Sequence, residues 1–165
     1  MKFETLDDLY LEQLRDLYSA EKQITKALPK MMKKASSDQL KSGFEKHLQE
    51  TEMQQDRLEQ IFEKLGKKGS GHVCKAMQGI IEECKEWMDE DATDGIMDAG
   101  LIANAQRIEH YEMAGYATAH RLAMTLGYSD HAKLLEKSLK EETATDNHLS
   151  QLAESEVNMM AEATR

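Results

Sequence analysis

The sequence predicts an all-α protein, a bundle of four long helices in which a long crossover between the second and third carries a short extra helix. Composition is the first reason, because the 165 residues include one proline, only 5% aromatic residues and many strong helix formers. Periodicity is the second reason, since apolar residues recur at steps of three and four through four long segments. The length suits one core, so we expect residues 1–165 to form a single domain.

The first long helix is predicted to begin after Thr5, because Thr5 and Asp8 have the spacing of a capping box. Pro29 cannot donate an internal hydrogen bond, so we expect it to kink or end the regular helix. The stripe that should face inward is apolar or aromatic except at one glutamate: Leu6, Tyr10, Leu14, Leu17, Glu21, Ile24 and Leu28.

The second long helix is predicted to begin at residues 36–39, where a serine precedes a glutamine by three positions. Gly66 favours a left-handed stop at its end. Its stripe mixes apolar and polar side chains, with Glu50 on the border: Leu40, Phe44, His47, Thr51, Gln54, Leu58, Ile61 and Leu65. The link to the first helix is short, so the two helices should be antiparallel neighbours.

The connection from residue 66 to about residue 93 is much longer than the roughly two to eight residues usual between neighbouring bundle helices. Within it, residues 74–88 have the pattern of a short amphipathic helix. Its apolar side carries Met77, Ile80, Ile81, Cys84 and Met88. A connection of this length can return along the bundle, so we expect the second and third long helices to be parallel.

The third long helix should run from about residue 93 to residue 126 and close at Gly127, and Ser129 and Asp130 should cap the fourth. The third stripe contains two carboxylates: Ile102, Ala105, Glu109, Glu112, Tyr116 and Ala119. The fourth contains one: Leu135, Leu139, Glu142, Thr145, Leu149 and Leu152. In the tail, Val157, Met159 and Met160 offer a dimer contact or remain free.

The net charge of −10 excludes two classes of partner. A chain with a sequence pI near 5.1 repels nucleic acid and anionic lipid, whereas it attracts cations. No apolar run is long enough to span a bilayer, and the acidic first residues do not resemble a secretory signal, so we expect a cytoplasmic protein. Cys74 and Cys84 form no Cys-x-x-Cys motif, which favours free thiols over a redox switch.

Each long helix places a glutamate on or beside its inward stripe, and a weak repeat relates residues 50–54 to residues 142–146. In a four-helix bundle the acids should converge at one level: Glu21, Glu50, Glu109, Glu112 and Glu142. Buried unpaired carboxylates cost several kcal/mol or take up protons, so they require cations. Carboxylates are hard ligands that can bridge, and five of them suit two divalent ions.

A buried ion-pair network is the alternative, and it needs bases that face inward. The bases near the glutamates fall off the stripes by period: Lys22, Lys46, Arg107 and Lys140. We therefore favour metal ligation over ion pairing, with protonated or water-filled carboxylates as a further alternative.

Four-helix dimetal carboxylate sites combine single glutamates with Glu-x-x-His motifs, and this sequence lacks the histidines. Met53 and Thr145 occupy the two expected positions. His47 lies one turn before Glu50, where it either replaces a missing ligand or bonds to a neighbouring carboxylate. Gln54 and Asp146, one turn after their glutamates, are placed either to ligate or to orient the ligands by hydrogen bonds.

Four strings, one in each long helix, are specific enough to indicate a family. They are Leu17-Tyr18-Ser19-Ala20-Glu21-Lys22-Gln23, His47-Leu48-Gln49-Glu50-Thr51 with Gln54, Ala105-Gln106-Arg107-Ile108-Glu109-His110-Tyr111-Glu112, and Glu141-Glu142-Thr143-Ala144-Thr145-Asp146. In these strings the chain resembles, over nearly its whole length, the YciE/YciF-type ferritin-like proteins. The resemblance implies a ferritin-like bundle, a dinuclear iron site and a homodimer in a bacterial protein linked to stress responses. It implies no settled reaction.

Two functions follow as hypotheses, both with two divalent metal ions as cofactor, iron being favoured over manganese or zinc. In the first, the centre reacts with peroxide or oxygen, which makes the protein a di-iron oxidoreductase of peroxidase or ferroxidase type. In the second, the metal is structural and the chain is a non-catalytic dimeric stress or interaction protein. The missing histidines count against rapid oxygen activation, so the sequence leaves both functions open.

Overall fold

In the part of the chain that the structure describes, the architecture consists of five α-helices followed by one π-helical turn. The structure is a computed structural model that describes residues 3–157 and Glu162, apart from the side chain of Glu156. The elements are α1 (Leu6–Lys34), α2 (Asp38–Leu65), α3 (Lys75–Asp89), α4 (Asp94–Thr125), α5 (Ser129–Leu152) and the π-helical turn Ala153–Val157. Within these residues no strand occurs, so the all-α prediction is confirmed.

Local sequence signals set the start of α1, both ends of α2 and the end of α4. Thr5 and Asp8 form the complete capping box at the start of α1, and the Ser37 hydroxyl accepts a hydrogen bond from the Leu40 amide at the start of α2. Gly66 ends α2 with a φ of 63° and Gly127 follows α4 with a φ of 79°, both in the left-handed region that glycine adopts without strain.

Pro29 does not end the first helix, contrary to one of the two expected outcomes. It lies inside α1, which continues to Lys34. Leu28 and Met31, on either side of it, are completely or almost completely buried. Their burial favours the helical course of the chain beyond the proline and outweighs the loss of one backbone hydrogen bond.

Contacts along α1 establish the helix directions. Asp98 near the start of α4 accepts hydrogen bonds at the end of α1 from the amides of Ser36 and Ser37, both at 2.8 Å. Further along α4, Tyr116 bonds to Glu21 in the middle of α1. Helices α1 and α4 are therefore antiparallel. Because the short link also makes α1 and α2 antiparallel, α2 and α4 are parallel, as predicted for a long crossover.

The crossover helix α3 packs across α1 and α4. Trp87 lies against Gly100 of α4, where an added Cβ atom would come within 1.9 Å of the indole ring. Its indole nitrogen donates to the Met97 carbonyl at 3.3 Å. A glycine is thus required at position 100, because any larger residue would collide with the indole ring of Trp87. The contact fixes the crossover against the third long helix.

Two apolar cores fill the bundle, one toward each end, and a polar layer separates them. Along α1 the chain passes from one core, which contains Leu17, to the other core, which contains Ile24. Along α4 it passes back, from the core that contains Ile108 to the core that contains Tyr116. The buried layer between the cores consists of Glu21, His47, Thr51, Gln54, Glu109, Glu112 and Glu142.

The chain beyond α5 packs against the core that contains Ile24. Val157 is buried there with a relative exposure of 2%, so its side chain is not an open dimer contact. Met159 and Met160, the other two residues proposed for that contact, lie outside the described residues. Among the helices that the structure describes, none combines the length and the apolar character required to cross a membrane.

Candidate metal centre

Four side chains of the polar layer converge on one point. The nearest ligand atoms of His47, Glu109, Glu112 and Glu142 all lie within 4.8 Å of one another, and all four residues are buried. They come from α2, α4 and α5, each at the position where an apolar stripe is interrupted. Three of the five predicted glutamates are thus brought together with the histidine that was left undecided.

His47 lies among the carboxylates rather than beside one of them. Its Nδ1 is 3.0 Å from Glu109 Oε1, and its Nε2 is 3.9 Å from Glu112 Oε2 and 3.8 Å from Glu142 Oε2. Burial lowers the pKa of His47, although the charges of Glu142 and Glu50 oppose this shift. A neutral imidazole is the form that ligates metals. The position of His47 is therefore compatible with both predicted roles, ligand and partner of a carboxylate.

Most polar atoms of this cluster are buried without a hydrogen-bond partner. Glu109 and Glu112 have no partner for either carboxylate oxygen, and Glu142 has none for Oε2. Neither ring nitrogen of His47 makes a hydrogen bond of good geometry. Native proteins leave few buried polar groups unsatisfied, so this concentration fits a site whose acids share protons with one another or bind a cation.

Burial raises the pKa of three of the acids well above the usual range for glutamate. For Glu109 the neighbouring charge of Glu142 adds to this rise, and for Glu112 the charges of Glu21 and Glu142 do so. The pKa of Glu21 rises for the same two reasons, burial first and Glu142 second. Like charges crowded into a dry site disfavour ionisation, and only protons or cations relieve the repulsion.

Glu21 borders the cluster and is held by a tyrosine. The buried Tyr116 hydroxyl donates a hydrogen bond to Glu21 Oε1, while Oε2 has no partner. Burial raises the pKa of Tyr116, and the negative charges of Glu21 and Glu112 raise it further, so the phenol remains a donor at neutral pH. One oxygen of Glu21 is therefore fixed and the other is left for a ligand.

The two predicted orienting residues differ in what they contact. Gln54 Nε2 donates to Glu142 Oε1 and, at 3.3 Å, to Glu141 Oε2. Asp146 instead accepts a hydrogen bond from Gln106 at 3.1 Å and lies 3.3 Å from the exposed ring of His110. Gln54 has the contact expected of an orienting residue, whereas the contacts of Asp146 are with Gln106 and His110.

Glu50, like Glu21, is a predicted ligand that does not join the four converging residues, and it lies closer to solvent. Its carboxylate accepts a hydrogen bond from the Thr145 hydroxyl at 3.3 Å, and its other oxygen lies 3.4 Å from Lys46 Nζ. The side chain is 14% exposed, so it lies between the buried cluster and solvent. The period of α2 explains this position, because Glu50 is on the border of the stripe whereas His47 is on it.

An arginine is buried beside the layer, at a position that the periodicity of α2 did not single out. Arg57 of α2 is only 6% exposed and makes a bidentate pair with Glu141. It neutralises Glu141 rather than the clustered acids, although its charge lowers the pKa of Glu21 slightly against the larger rise. The buried ion-pair alternative therefore holds for one pair next to the centre. Among the described residues, the basic neighbour of the clustered acids is His47, and no lysine or arginine pairs with them.

This donor set fits divalent metal ions. Carboxylate oxygens and an imidazole nitrogen suit iron, manganese or zinc. Burying several negative charges together costs free energy, and a bound cation offsets this cost. The cluster of His47, Glu109, Glu112 and Glu142, which we call the carboxylate cluster, is therefore a candidate metal centre.

The family now follows from comparison with known proteins. Residues 5–162 match the model of a family described as a domain of unknown function, DUF892. The chain belongs to the DUF892 family. Protein YciF of Escherichia coli strain K12 is 44% identical to this chain over 163 residues, which cover 98% of each of the two chains.

Solved structures of similar proteins agree with the fold. The crystal structure of the E. coli stress protein YciF has a TM-score of 0.91 at 43% identity and covers 94% of this chain and 99% of that one. YcfI of Rhodopseudomonas palustris, provisionally described as a structural protein, has a TM-score of 0.86 at 46% identity over 89% and 94%. A Xanthomonas campestris protein at 19% identity has a TM-score of 0.77, which shows the fold alone.

Proposed function

We propose that this chain is a dinuclear metal carboxylate protein, with iron as the favoured metal, that reacts with peroxide or oxygen during a bacterial stress response. The observation that carries the proposal is the carboxylate cluster, in which most of the buried carboxylate oxygens accept no hydrogen bond. The description of the E. coli relative as a stress protein supports the physiological setting.

Glu109, Glu112, Glu142 and His47 would hold the ions, together with the free oxygen of Glu21. Two bound iron ions would supply the electrons that reduce the oxidant. Glu50 lies on the solvent side of the cluster, where its carboxylate can take part in ligation after leaving Lys46. The apolar cores on both sides restrict water, and thereby strengthen each charge interaction between them.

The test begins with metal-free protein loaded anaerobically with iron(II), followed by addition of peroxide or air. The proposal predicts near-ultraviolet absorbance that is stoichiometric with the bound iron, and consumption of oxidant faster than by iron(II) in buffer. The variant Glu109→Ala serves as the matched control, since it removes a central ligand from an otherwise unchanged helix. Wild-type protein that loads iron but remains inert to both oxidants would contradict the reaction.

A structural metal is the second candidate, and the residues at two positions favour it. Where a Glu-x-x-His motif would place histidines, the chain has Met53, which is 45% exposed, and Thr145, which bonds to Glu50. YcfI, the relative provisionally described as a structural protein, is consistent with this candidate. In this case the ions neutralise the carboxylate cluster and stabilise the bundle without turnover.

Chelation combined with the oxidant assay distinguishes the two candidates. A metal bound only by the folded state stabilises the protein by mass action, so removal should lower the melting temperature in either case. Loss of stability without any oxidant chemistry supports the structural role. If chelation lowers the melting temperature and also abolishes the oxidant consumption of the metal-loaded protein, the redox role is supported.

We further propose that the protein is a cytoplasmic homodimer. The support is the resemblance that the sequence bears to the YciE/YciF-type proteins, and the acidic surface argues against nucleic acid and anionic lipid as partners. Sedimentation equilibrium should give twice the chain mass of 18.8 kDa. A monomeric mass would contradict the dimer.

A further inference from the structure

The buried arginine beside the carboxylate cluster has a role that the ion pair alone does not explain. We propose that Arg57, acting through Glu141 and Gln54, is a positioning residue that fixes the candidate ligand Glu142. This inference rests on the proposed function, because it concerns how the same metal centre is held.

The first contact joins α2 to α5. Arg57 Nη1 lies 2.5 Å from Glu141 Oε2 and Nη2 lies 2.8 Å from Glu141 Oε1, which is the bidentate arrangement. Nη1 also donates to the Ser138 hydroxyl at 3.0 Å. A planar guanidinium that binds both oxygens of a carboxylate fixes its plane as well as its position, which a lysine cannot do.

The second contact passes from this carboxylate to the amide of Gln54. Gln54 Nε2 donates both to Glu141 Oε2, at 3.3 Å, and to Glu142 Oε1. Gln54 is fully buried and its Oε1 has no partner, so these two acceptors are what fix the direction of the amide. A displaced Glu141 would leave the amide free to rotate away from Glu142.

The third step concerns which oxygen Glu142 presents to the cluster. Its Oε1 is occupied by Gln54, whereas Oε2 has no hydrogen bond and lies 3.8 Å from His47 Nε2. Gln54 thus reserves one oxygen and leaves the other for a cation. By contrast, both oxygens of Glu109 and of Glu112 are without hydrogen-bond partners.

We call the series of contacts from Arg57 through Glu141 and Gln54 to Glu142 the relay. The order of these residues in the chain makes the relay possible. Gln54 and Arg57 are one turn apart on α2, while Glu141 and Glu142 are consecutive on α5, so one amide reaches both the paired acid and the ligand. If the pair of Arg57 and Glu141 served only to join α2 to α5, it would not require the Gln54 amide to contact both Glu141 and Glu142. Buried ion pairs are in themselves weak evidence for a stabilising role.

Cobalt(II) is the probe, because its visible absorption depends on the number and geometry of its ligands. Affinity and spectrum are measured for wild-type protein, Gln54→Leu, Arg57→Lys and the double variant, which together form a double-mutant cycle. We expect each single variant to bind cobalt about 10- to 100-fold more weakly and with an altered spectrum. In the Gln54→Leu background, Arg57→Lys should have no further effect on either readout.

Two further variants keep the test decisive. If Arg57→Lys does not fold, Arg57→Met combined with Glu141→Met removes the pair without leaving a buried charge, and the same affinity loss and spectral change are expected. Glu136→Gln is the control, because it breaks the exposed pair with Lys140 on α5, at 2.7 Å, and Glu136 takes no part in the hydrogen bonds of the relay. Its cobalt affinity and spectrum should equal those of wild type.

The two proposals fail in different ways. Wild-type protein that binds cobalt, with folded relay variants that bind it equally well and with the same spectrum, would overturn the relay alone. Additive losses in the cycle would also overturn it, since Arg57 would then act independently of Gln54. Wild-type protein that binds no cobalt would overturn the metal centre and the relay with it.

Discussion

Replacing one clustered acid by its neutral amide should stabilise the metal-free protein. Glu112 is fully buried and has no hydrogen-bond partner for either oxygen. Burial raises its pKa well above the ordinary value of a glutamate, and the charges of Glu21 and Glu142 raise it further. At pH 7 the unfolded chain carries this group ionised, so folding must either bury a charge or take up a proton.

The cost of proton uptake can be worked out. Protonating a glutamate of ordinary pKa, about 4.3, at pH 7 costs about 1.4 kcal/mol for each of roughly 2.7 pH units, or about 3.7 kcal/mol. This sum is the upper limit that Glu112→Gln can recover. The buried amide must itself be desolvated, at about 1–3 kcal/mol. We therefore expect a net gain of about 1–3 kcal/mol in the free energy of unfolding.

The pH dependence has a definite sign. An acid whose pKa is raised by folding contributes its stability below the unfolded pKa, and this contribution is lost as the pH rises through the folded pKa. The gain from Glu112→Gln should therefore be present at pH 7 and vanish near pH 4.5.

The assay is urea unfolding followed by circular dichroism in the presence of a chelator, at pH 7 and at pH 5. Glu52→Gln, an exposed glutamate on α2, is the matched control and should change stability by less than about 0.5 kcal/mol. The reasoning would be refuted if metal-free Glu112→Gln were no more stable than wild type at pH 7.

Three further predictions concern other contacts. Glu142→Ala should abolish metal loading, measured by elemental analysis, and leave a folded helical protein; full occupancy would contradict the assignment of this ligand. Gly100→Ala should cost about 1–3 kcal/mol in thermal or urea unfolding because its Cβ would meet Trp87, whereas Gly79→Ala, in open space on α3, should gain about 0.4–1 kcal/mol. Equal effects of the two alanines would count against the packing of the crossover. Asp98→Ala should cost about 1–3 kcal/mol by the same assay, because two backbone amides at the turn between α1 and α2 lose their acceptor.

The periodicity of the sequence was sufficient to predict the helices and much of the site. Glu109 and Glu112 occur where an apolar stripe requires leucines, and both are fully buried. Their contact with Glu142 follows from the bundle topology, because short links and one long crossover leave few ways to pack four helices. Glycines at positions 66 and 127 mark helix ends because only the left-handed region allows those turns.

Periodicity was less informative for residues at the border of a stripe. Glu50 is on such a border, so its period alone could not decide between the buried layer and the partly exposed position that it occupies. Arg57 was missed because a long basic side chain is ordinarily exposed, and its burial depends on Glu141 from another helix. Of the two outcomes expected at Pro29, a kink or an end, the end is wrong, because α1 continues to Lys34 with Leu28 and Met31 buried on either side of the proline.

Iron content after anaerobic loading and gel filtration tests the metal centre most directly. The carboxylate cluster predicts close to two iron ions for each wild-type chain, and less than a tenth of that in Glu109→Ala of equal helical content. Wild-type protein that emerges without iron, or a variant that retains all of it, would contradict the account.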